Sequence, residues 1–303
     1  AGLKVIEFAT YIAAPGAGGL LADWGATVIK VEPPGGDPIR QFFSSIGHDT
    51  SDNPVFDLDN RGKQSIQIDT ATDTGRKLMR QLVAGADIFL TNVRPAALKR
   101  AGLDAETLME ADPRLIYAAV TGYGLTGPDA DKPGFDIASF WSRSGWASLT
   151  APRGAEPFPI RTAAGDHICS LSTVSGILAA LHHRNQTGAG TLVDASLLRA
   201  ATYTLGSDLA VQMRFGRVAS TRPRAQAINP LMNFFKTADG RWICVLPRTG
   251  NPDWPDIARA FGAAALLDDP LFATAKARRE NCEALVAALD QAISQLDFAE
   301  VSG

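Results

Sequence analysis

Over its first two thirds the chain alternates short β-rich runs with helical stretches, a rhythm that few architectures accommodate. The β-rich runs fall at Lys4 to Ala9, Thr27 to Glu32, Ser65 to Asp69, Asp87 to Asn92 and Leu115 to Thr121. Helical patterns lie between them at Pro15 to Trp24, Thr74 to Ala84 and Ala105 to Ala111, the last stopped by Asp112-Pro113. Strands separated by helices form crossover units, so the pattern predicts an α/β fold around a mostly parallel sheet, with helices covering its faces. A long core helix is expected over Asp166 to Gln186, closed by Gly188, with Ile168, Leu171, Val174, Leu178 and Leu181 on its buried stripe. Another helix is expected from about Ala195 to Met213.

From Gly127 to Pro159 the texture changes to Gly, Pro and aromatic residues, which predicts loops around a short helix near Ile137 to Gly145 and a segment that borders a site. Residues 214–229 carry Arg214, Arg217, Arg222 and Arg224 without an apolar period and read as a linker. It separates a large domain over 1–213 from a smaller one over 230–303, where Ala238-Asp239-Gly240 between apolar runs predicts a hairpin.

The 303 residues are 46% apolar, enough for a large core. Lys and Arg number 29 against 32 Asp and Glu, with no run of like charge, so no basic stripe for nucleic acid is expected. The three cysteines, Cys169, Cys244 and Cys282, stand far apart without a C-x-x-C, and the four histidines form no H-E-x-x-H. Neither a disulfide framework nor a metal site is signalled, and a reducing cytoplasm fits best. No apolar stretch approaches the roughly 20 residues of a membrane span, and no signal-peptide layout precedes the first strand pattern. The chain opens at Ala1 without an initiator Met, which suggests a trimmed start.

Pro15-Gly-Ala-Gly-Gly-Leu-Leu-Ala-Asp-Trp-Gly after an apolar strand, with Glu32 ending the second strand, imitates a dinucleotide fingerprint. The third glycine of G-x-G-x-x-G falls on Leu21, and without it the helix cannot pack closely in the way that motif requires. The small residues then serve close packing of this helix on the sheet. Gly165-Asp166 at the start of the long helix admits two readings: an N-cap, or a carboxylate nucleophile beside a glycine that lets substrate approach. Lys30, Arg40, Lys63, Asn92, Arg94, Lys99 and Arg100 lie near strand ends or the starts of the following elements, where an open α/β sheet binds ligands, and suit a phosphorylated one. His182 and His183 read as a polar helix face, and His167 as a helix-start residue.

The succession Leu3-Lys-Val-Ile-Glu-Phe, Asp23-Trp-Gly-Ala-Thr-Val-Ile-Lys-Val-Glu-Pro-Pro-Gly-Gly-Asp-Pro, Asn60-Arg-Gly-Lys-Gln-Ser-Ile, Ala86-Asp-Ile-Phe-Leu-Thr-Asn-Val-Arg-Pro, Pro113-Arg-Leu-Ile-Tyr-Ala and Gly122-Tyr-Gly-x-x-Gly-Pro resembles the class III coenzyme A transferases. That family includes formyl-CoA and carnitine-CoA transferases and α-methylacyl-CoA racemase. The blocks keep the family's order from Leu3 to about Leu246. The resemblance implies a Rossmann-like large domain with a parallel sheet, a smaller α+β domain and an interlocked homodimer. It implies coenzyme A or acyl-CoA as substrate together with a carboxylic acid, no permanent cofactor and no metal.

Residue by residue, the resemblance makes Asp166 the nucleophile. It places coenzyme A along Ile12 and Ala13, along Ile68, Asp69, Thr70 and Ala71, and along Asn92, Val93 and Arg94. Arg100 matches a phosphate contact, and Gly134 and Phe135 match contacts near the pantetheine arm. Pro33 stands where formyl-CoA transferase has an arginine, and Arg40 is the expected replacement. Ala225 to Asn229 lacks the glycine-rich loop of that enzyme, which argues against formyl or oxalate chemistry. Phe135 in Gly134-Phe135-Asp136 replaces the histidine of the racemase motif, so transfer is expected rather than racemisation. A non-catalytic CoA-binding subunit is the further alternative, kept open because relatives usually continue beyond the point matching Gly303.

Overall fold

In the computed structural model, residues 2–48, 52–158, 160–161 and 163–302 are described. Pro159, at the end of the expected loop segment, and the outermost residues of the expected domains, Ala1 and Gly303, lie outside them.

The chain divides into two compact units, one of residues 1–147 and 158–218, the other of 148–157 and 219–303. In the first, β1 (Lys4–Phe8), α1 (Ala13–Asp23) and β2 (Thr27–Glu32) lead through the short α2 (Phe42–Ser45) and α3 (Pro54–Asn60) to β3 (Gln64–Gln67). Then follow α4 (Asp73–Val83), β4 (Ile88–Thr91), α5 (Pro95–Ala101), α6 (Ala105–Ala111) and β5 (Ile116–Thr121). A π-helical stretch (Asp136–Ser142) precedes α8 (Ala164–Thr187), β6 (Leu192–Ser196), α9 (Leu197–Thr204) and α10 (Gly206–Phe215), and α7 (Trp146–Leu149) begins in this unit and ends in the segment 148–157 of the other.

The six strands form one parallel sheet in the order β3-β2-β1-β4-β5-β6. This is the doubly wound order expected of a Rossmann-like sheet. Strand order reverses between β1 and β4, and the crevice beyond their carboxyl ends is where such sheets take ligands. Side chains alternate between the faces. Val5, Ile88, Leu90, Ile116, Ala118 and Val120 join a core with α1 and α8, whereas Ile6, Phe89, Leu115, Tyr117 and Ala119 join one with α4, α5 and α6. Both faces are therefore covered, which explains strands that read as continuous apolar runs.

α8 packs on α1 through small groups. A Cβ on Gly16 would stand 2.6 Å from Ser170 Oγ, whose hydroxyl donates to the Ala13 carbonyl at 2.7 Å, so glycine is what allows this approach. The buried side of α8 accordingly comprises Gly165, Cys169, Ser170, Thr173, Val174, Ile177, Ala180 and Arg184. This corrects the expected stripe: Val174 is buried, but Leu171 and Leu178 are exposed. α8 is also long and apolar enough to cross a membrane by length and composition alone, contrary to the expectation that no stretch approaches that length. The helix expected from Ala195 is likewise corrected, because β6 occupies Leu192–Ser196 and Ser196 Oγ then caps α9 by accepting from the Arg199 N–H.

In the second unit β7 (Asn233–Lys236) and β8 (Trp242–Val245) form the expected antiparallel hairpin around Asp239-Gly240. α11 (Trp254–Ala260), α12 (Ala275–Glu280), α13 (Cys282–Ile293) and α14 (Phe298–Ser302) follow. Leu231, Phe235, Trp254, Leu285 and Leu289 centre its core.

Candidate active site

The turn after β1 is held to the end of β4 by reciprocal bonds: the Thr10 N–H donates to Asn92 Oδ1 at 3.0 Å, and Asn92 Nδ2 donates to the Thr10 carbonyl at 2.6 Å. An asparagine at this strand end thus spans the switch point of the sheet. Tyr11 next takes φ +65°, rare for an aromatic residue, and its N–H donates to Asp37 Oδ1 at 3.1 Å. These bonds fix the mouth of a cleft of about 490 Å³.

Of the expected site residues, Ile12, Ala13, Asn92, Val93, Arg94, Gly134, Phe135 and Asp166 line this cleft. Sequence reasoning missed Thr10, Tyr11, Pro95, Thr121, Lys132 and Leu197, which line it too. Tyr11 and Phe135 meet edge to face, with ring centroids 5.7 Å apart. Gly122 and Gly134 pass so closely that a Cβ on either would lie about 2.5 Å from the other's Cα, so both must lack a side chain.

Asp166 is the third residue of α8 and makes no capping bond; the cap position belongs to Ala163, in the left-handed region at φ +78°. The cap reading of Asp166 therefore fails. Burial raises its carboxyl to about 7, helped by the negative charges of Asp136 and Asp59, while His167 opposes the shift. A helix N-terminus favours a carboxylate, but here burial outweighs it. Asp136 is itself buried, its carboxyl raised by that burial, with Oδ2 accepting from Trp141 Nε1 at 3.3 Å. A Cβ on Gly165 would stand 2.1 Å from Asp136 Oδ1, so this glycine lets Asp136 lie directly beneath the residue preceding Asp166.

Other expected ligand contacts lie elsewhere. Lys30 is buried between Glu7 at 3.1 Å and Asp37 at 2.8 Å, and Lys63 is buried against Glu7 at 2.7 Å. Both are structural cations of the interior, which corrects their assignment to a ligand-facing set. Arg40 donates to Glu32 from Nε at 2.8 Å and from Nη2 at 2.7 Å, and it stacks on Phe56 with its guanidinium carbon 3.8 Å from the ring centroid. With Ser65 Oγ also donating, Arg40 holds the Glu32 carboxyl at about 2. Ile68, Asp69, Thr70 and Ala71 form the turn after β3, where Asp69 Oδ1 accepts from the Ala71 N–H at 2.9 Å. Lys99 and Arg100 are exposed on the last turn of α5. None of these lines the cleft. Cys169 and Cys282 are buried and Cys244 is exposed, all as free thiols; no cluster able to hold a metal occurs among the described residues.

A doubly wound parallel sheet with a carboxylate of raised basicity lining the crevice at its switch point defines an α/β protein shaped to bind a ligand there. The family model for CoA-transferase family III matches residues 1–303, and the chain belongs to that family. It is 33% identical over 303 residues to the (R)-2-hydroxy-4-methylpentanoate CoA-transferase of Clostridioides difficile, covering 99% of this chain and 75% of that one. It is 39% identical over 274 residues to the cinnamoyl-CoA:phenyllactate CoA-transferase of Clostridium sporogenes, covering 89% and 66%. A solved CAIB/BAIF family protein from Brucella suis superposes with a TM-score of 0.88 at 32% identity, covering 99% of this chain and 80% of that chain.

Proposed function

We propose that this family III CoA-transferase moves coenzyme A from an acyl-CoA donor to a free carboxylic acid through a thioester on Asp166. The observation that carries the reading is a partly buried carboxylate, raised to about 7, facing a cleft at the sheet's switch point. A carboxylate of raised basicity is a better nucleophile once ionised, and neutral pH ionises a substantial share of it.

The steps balance without an external oxidant or reductant. A carboxylate oxygen of Asp166 attacks the donor thioester carbonyl, expelling CoA thiolate and forming an acyl-aspartyl anhydride. The thiolate attacks the aspartyl carbonyl, releasing the donor's carboxylate and leaving the aspartyl-CoA thioester. An incoming carboxylate attacks that thioester and expels the thiolate, which takes the new acyl group and frees Asp166. The negative charge that develops on each carbonyl oxygen is best met by backbone N–H groups at the cleft.

Ile12, Ala13, Asn92, Val93, Arg94, Gly134 and Phe135 remain the proposed CoA contacts, supported by their place in the cleft. Ile68, Asp69, Thr70, Ala71 and Arg100 belong to the same proposal as an outer stretch, and Arg40 as a contact near the sheet edge. An interlocked homodimer completes it. Transfer is favoured over epimerisation because Phe135 carries no exchangeable proton and Asp136 lies buried instead of lining the cleft. The test is a donor panel of 2-hydroxy-4-methylpentanoyl-CoA, cinnamoyl-CoA and succinyl-CoA against the matching free acids, with products read by mass. Asp166→Asn should abolish transfer, and rapid α-proton exchange without an acceptor acid would overturn the reading.

A further inference from the structure

Asp59 and His167 take no part in the steps above. Asp59, in α3, is 2% exposed. Its Oδ1 lies 3.0 Å from Nε2 of His167, the residue that follows Asp166 in the first turn of α8. Its Oδ2 is buried without a hydrogen-bond partner among the described residues. A carboxylate so placed is costly unless a cation faces it. Two other basic groups stand near Asp59 among the described residues: Arg61 is taken by Asp23 and the Leu58 carbonyl, and the ammonium of Lys63, just ahead of β3, is already engaged by Glu7 at 2.7 Å, the Pro15 carbonyl at 2.8 Å and Asn60 Oδ1 at 3.0 Å. The ammonium has only three protons to give, so His167 is the partner left for Asp59.

The charges that face His167 are Asp59 from α3, Asp136 from the π-helical stretch and Asp166 from its own helix, all negative. The imidazole is half exposed, so its proton can exchange with solvent. We propose that Asp59 holds His167 as an imidazolium beside Asp166, and that this positioning residue keeps Asp166 in its nucleophilic carboxylate form. Burial and Asp136 push Asp166 toward protonation, whereas His167 pushes it back. The hydrogen bond that His167 donates to Asp59 raises the imidazole in turn, so the cation is present at acidic to neutral pH, where Asp166 most needs it. The inference rests on Asp166 being the nucleophile.

His167→Gln keeps a donor for Asp59 but removes the charge. With the fastest donor of the panel above, the acid limb of kcat/KM should move up by about half a unit to one unit, at or below the lower end of the effect of an opposite charge on a carboxylate because the imidazole is half exposed to screening solvent. That shift corresponds to about a three- to tenfold loss at pH 6, with the deficit shrinking as pH rises. By reciprocity, Asp166→Asn should lower the titration midpoint of His167, followed by NMR among the four histidines, because the two charges stabilise each other. Asp59→Asn should lower that midpoint as well. An unshifted acid limb in His167→Gln, or a deficit equal at every pH, would show a mere tether between α3 and α8 and overturn the proposal. If Asp59→Asn fails to fold, the His167→Gln profile and the NMR titration in Asp166→Asn decide. Full activity in Asp166→Asn would instead sink the nucleophile assignment, and an inactive Asp166→Asn with an unmoved His167 midpoint would sink this proposal alone.

Discussion

Replacing Gly165 by alanine puts a methyl group 2.1 Å from Asp136 Oδ1 and 2.3 Å from Phe140 Cγ, both on buried side chains. Ordinary contact begins near 3.4 Å, so the methyl or its neighbours must give way by about 1 Å. Overpacking of this kind costs about 1–3 kcal/mol, and the better helix propensity of alanine returns up to about 1 kcal/mol. A net loss of about 1–2 kcal/mol lowers the melting temperature by about 2–8 °C for a domain of this size. The larger effect falls on chemistry: Asp166 is the next residue, and a 1 Å misplacement costs about 100-fold in rate. The assay pairs a thermal melt with kcat on the same preparation. Gly206→Ala is the control, since a Cβ there meets nothing within 4 Å. A Gly165→Ala enzyme whose melting temperature and kcat both match the parent would refute the argument.

Asp166→Asn should be more stable than the parent at pH 8, by an amount on the order of 2 kcal/mol, and equally stable below about pH 4. The sign follows from a carboxyl raised in the folded state to about 7: its ionisation opposes folding as pH rises, and the amide removes that ionisation. Denaturant melts at the two pH values check it. Arg40→Ala should cost about 2 kcal/mol at pH 7 by leaving Glu32 buried without its guanidinium. Because the Glu32 carboxyl is lowered to about 2, the parent's advantage should fade as pH drops from about 4.5 toward 2. Arg94→Ala, at the cleft, should raise the donor KM about tenfold with kcat little changed, the pattern of a contact made equally in ground and transition states. Arg100→Ala, exposed on α5, should raise it less.

The sheet was legible because its strands alternate with helices and are apolar on both sides; the observed β2 range, Thr27–Glu32, matches the expected one. β6 was not legible. Only its last two residues, Ala195 and Ser196, are buried, so an edge strand running straight into a helix leaves little apolar signal. The α8 stripe was misread because large aliphatics stood out, whereas the buried side of α8 also uses Gly, Ser, Thr and Ala, which pack closely by being small. Position alone left Asp166 divided between cap and nucleophile. The structure decides against the cap because Ala163 takes that position, and the raised carboxyl depends on burial and on Asp136, which is 30 positions upstream and gives no local signal. His167 read as a helix-start residue for the same reason, because its partner Asp59 lies 108 positions away. Lys30 and Lys63 looked like ligand groups since strand ends favour ligands, yet Glu7 and Asp37, invisible as partners in the sequence, draw both inward.

The central claim is a covalent CoA on Asp166. Incubating the full chain with its donor in the absence of acceptor acid, quenching in acid and digesting should yield the peptide containing Asp166 heavier by coenzyme A less one water. Added acceptor carboxylate should discharge it, and Asp166→Asn should show no such peptide. An unmodified Asp166 peptide during steady turnover, or the same mass on another residue in both proteins, would contradict the account.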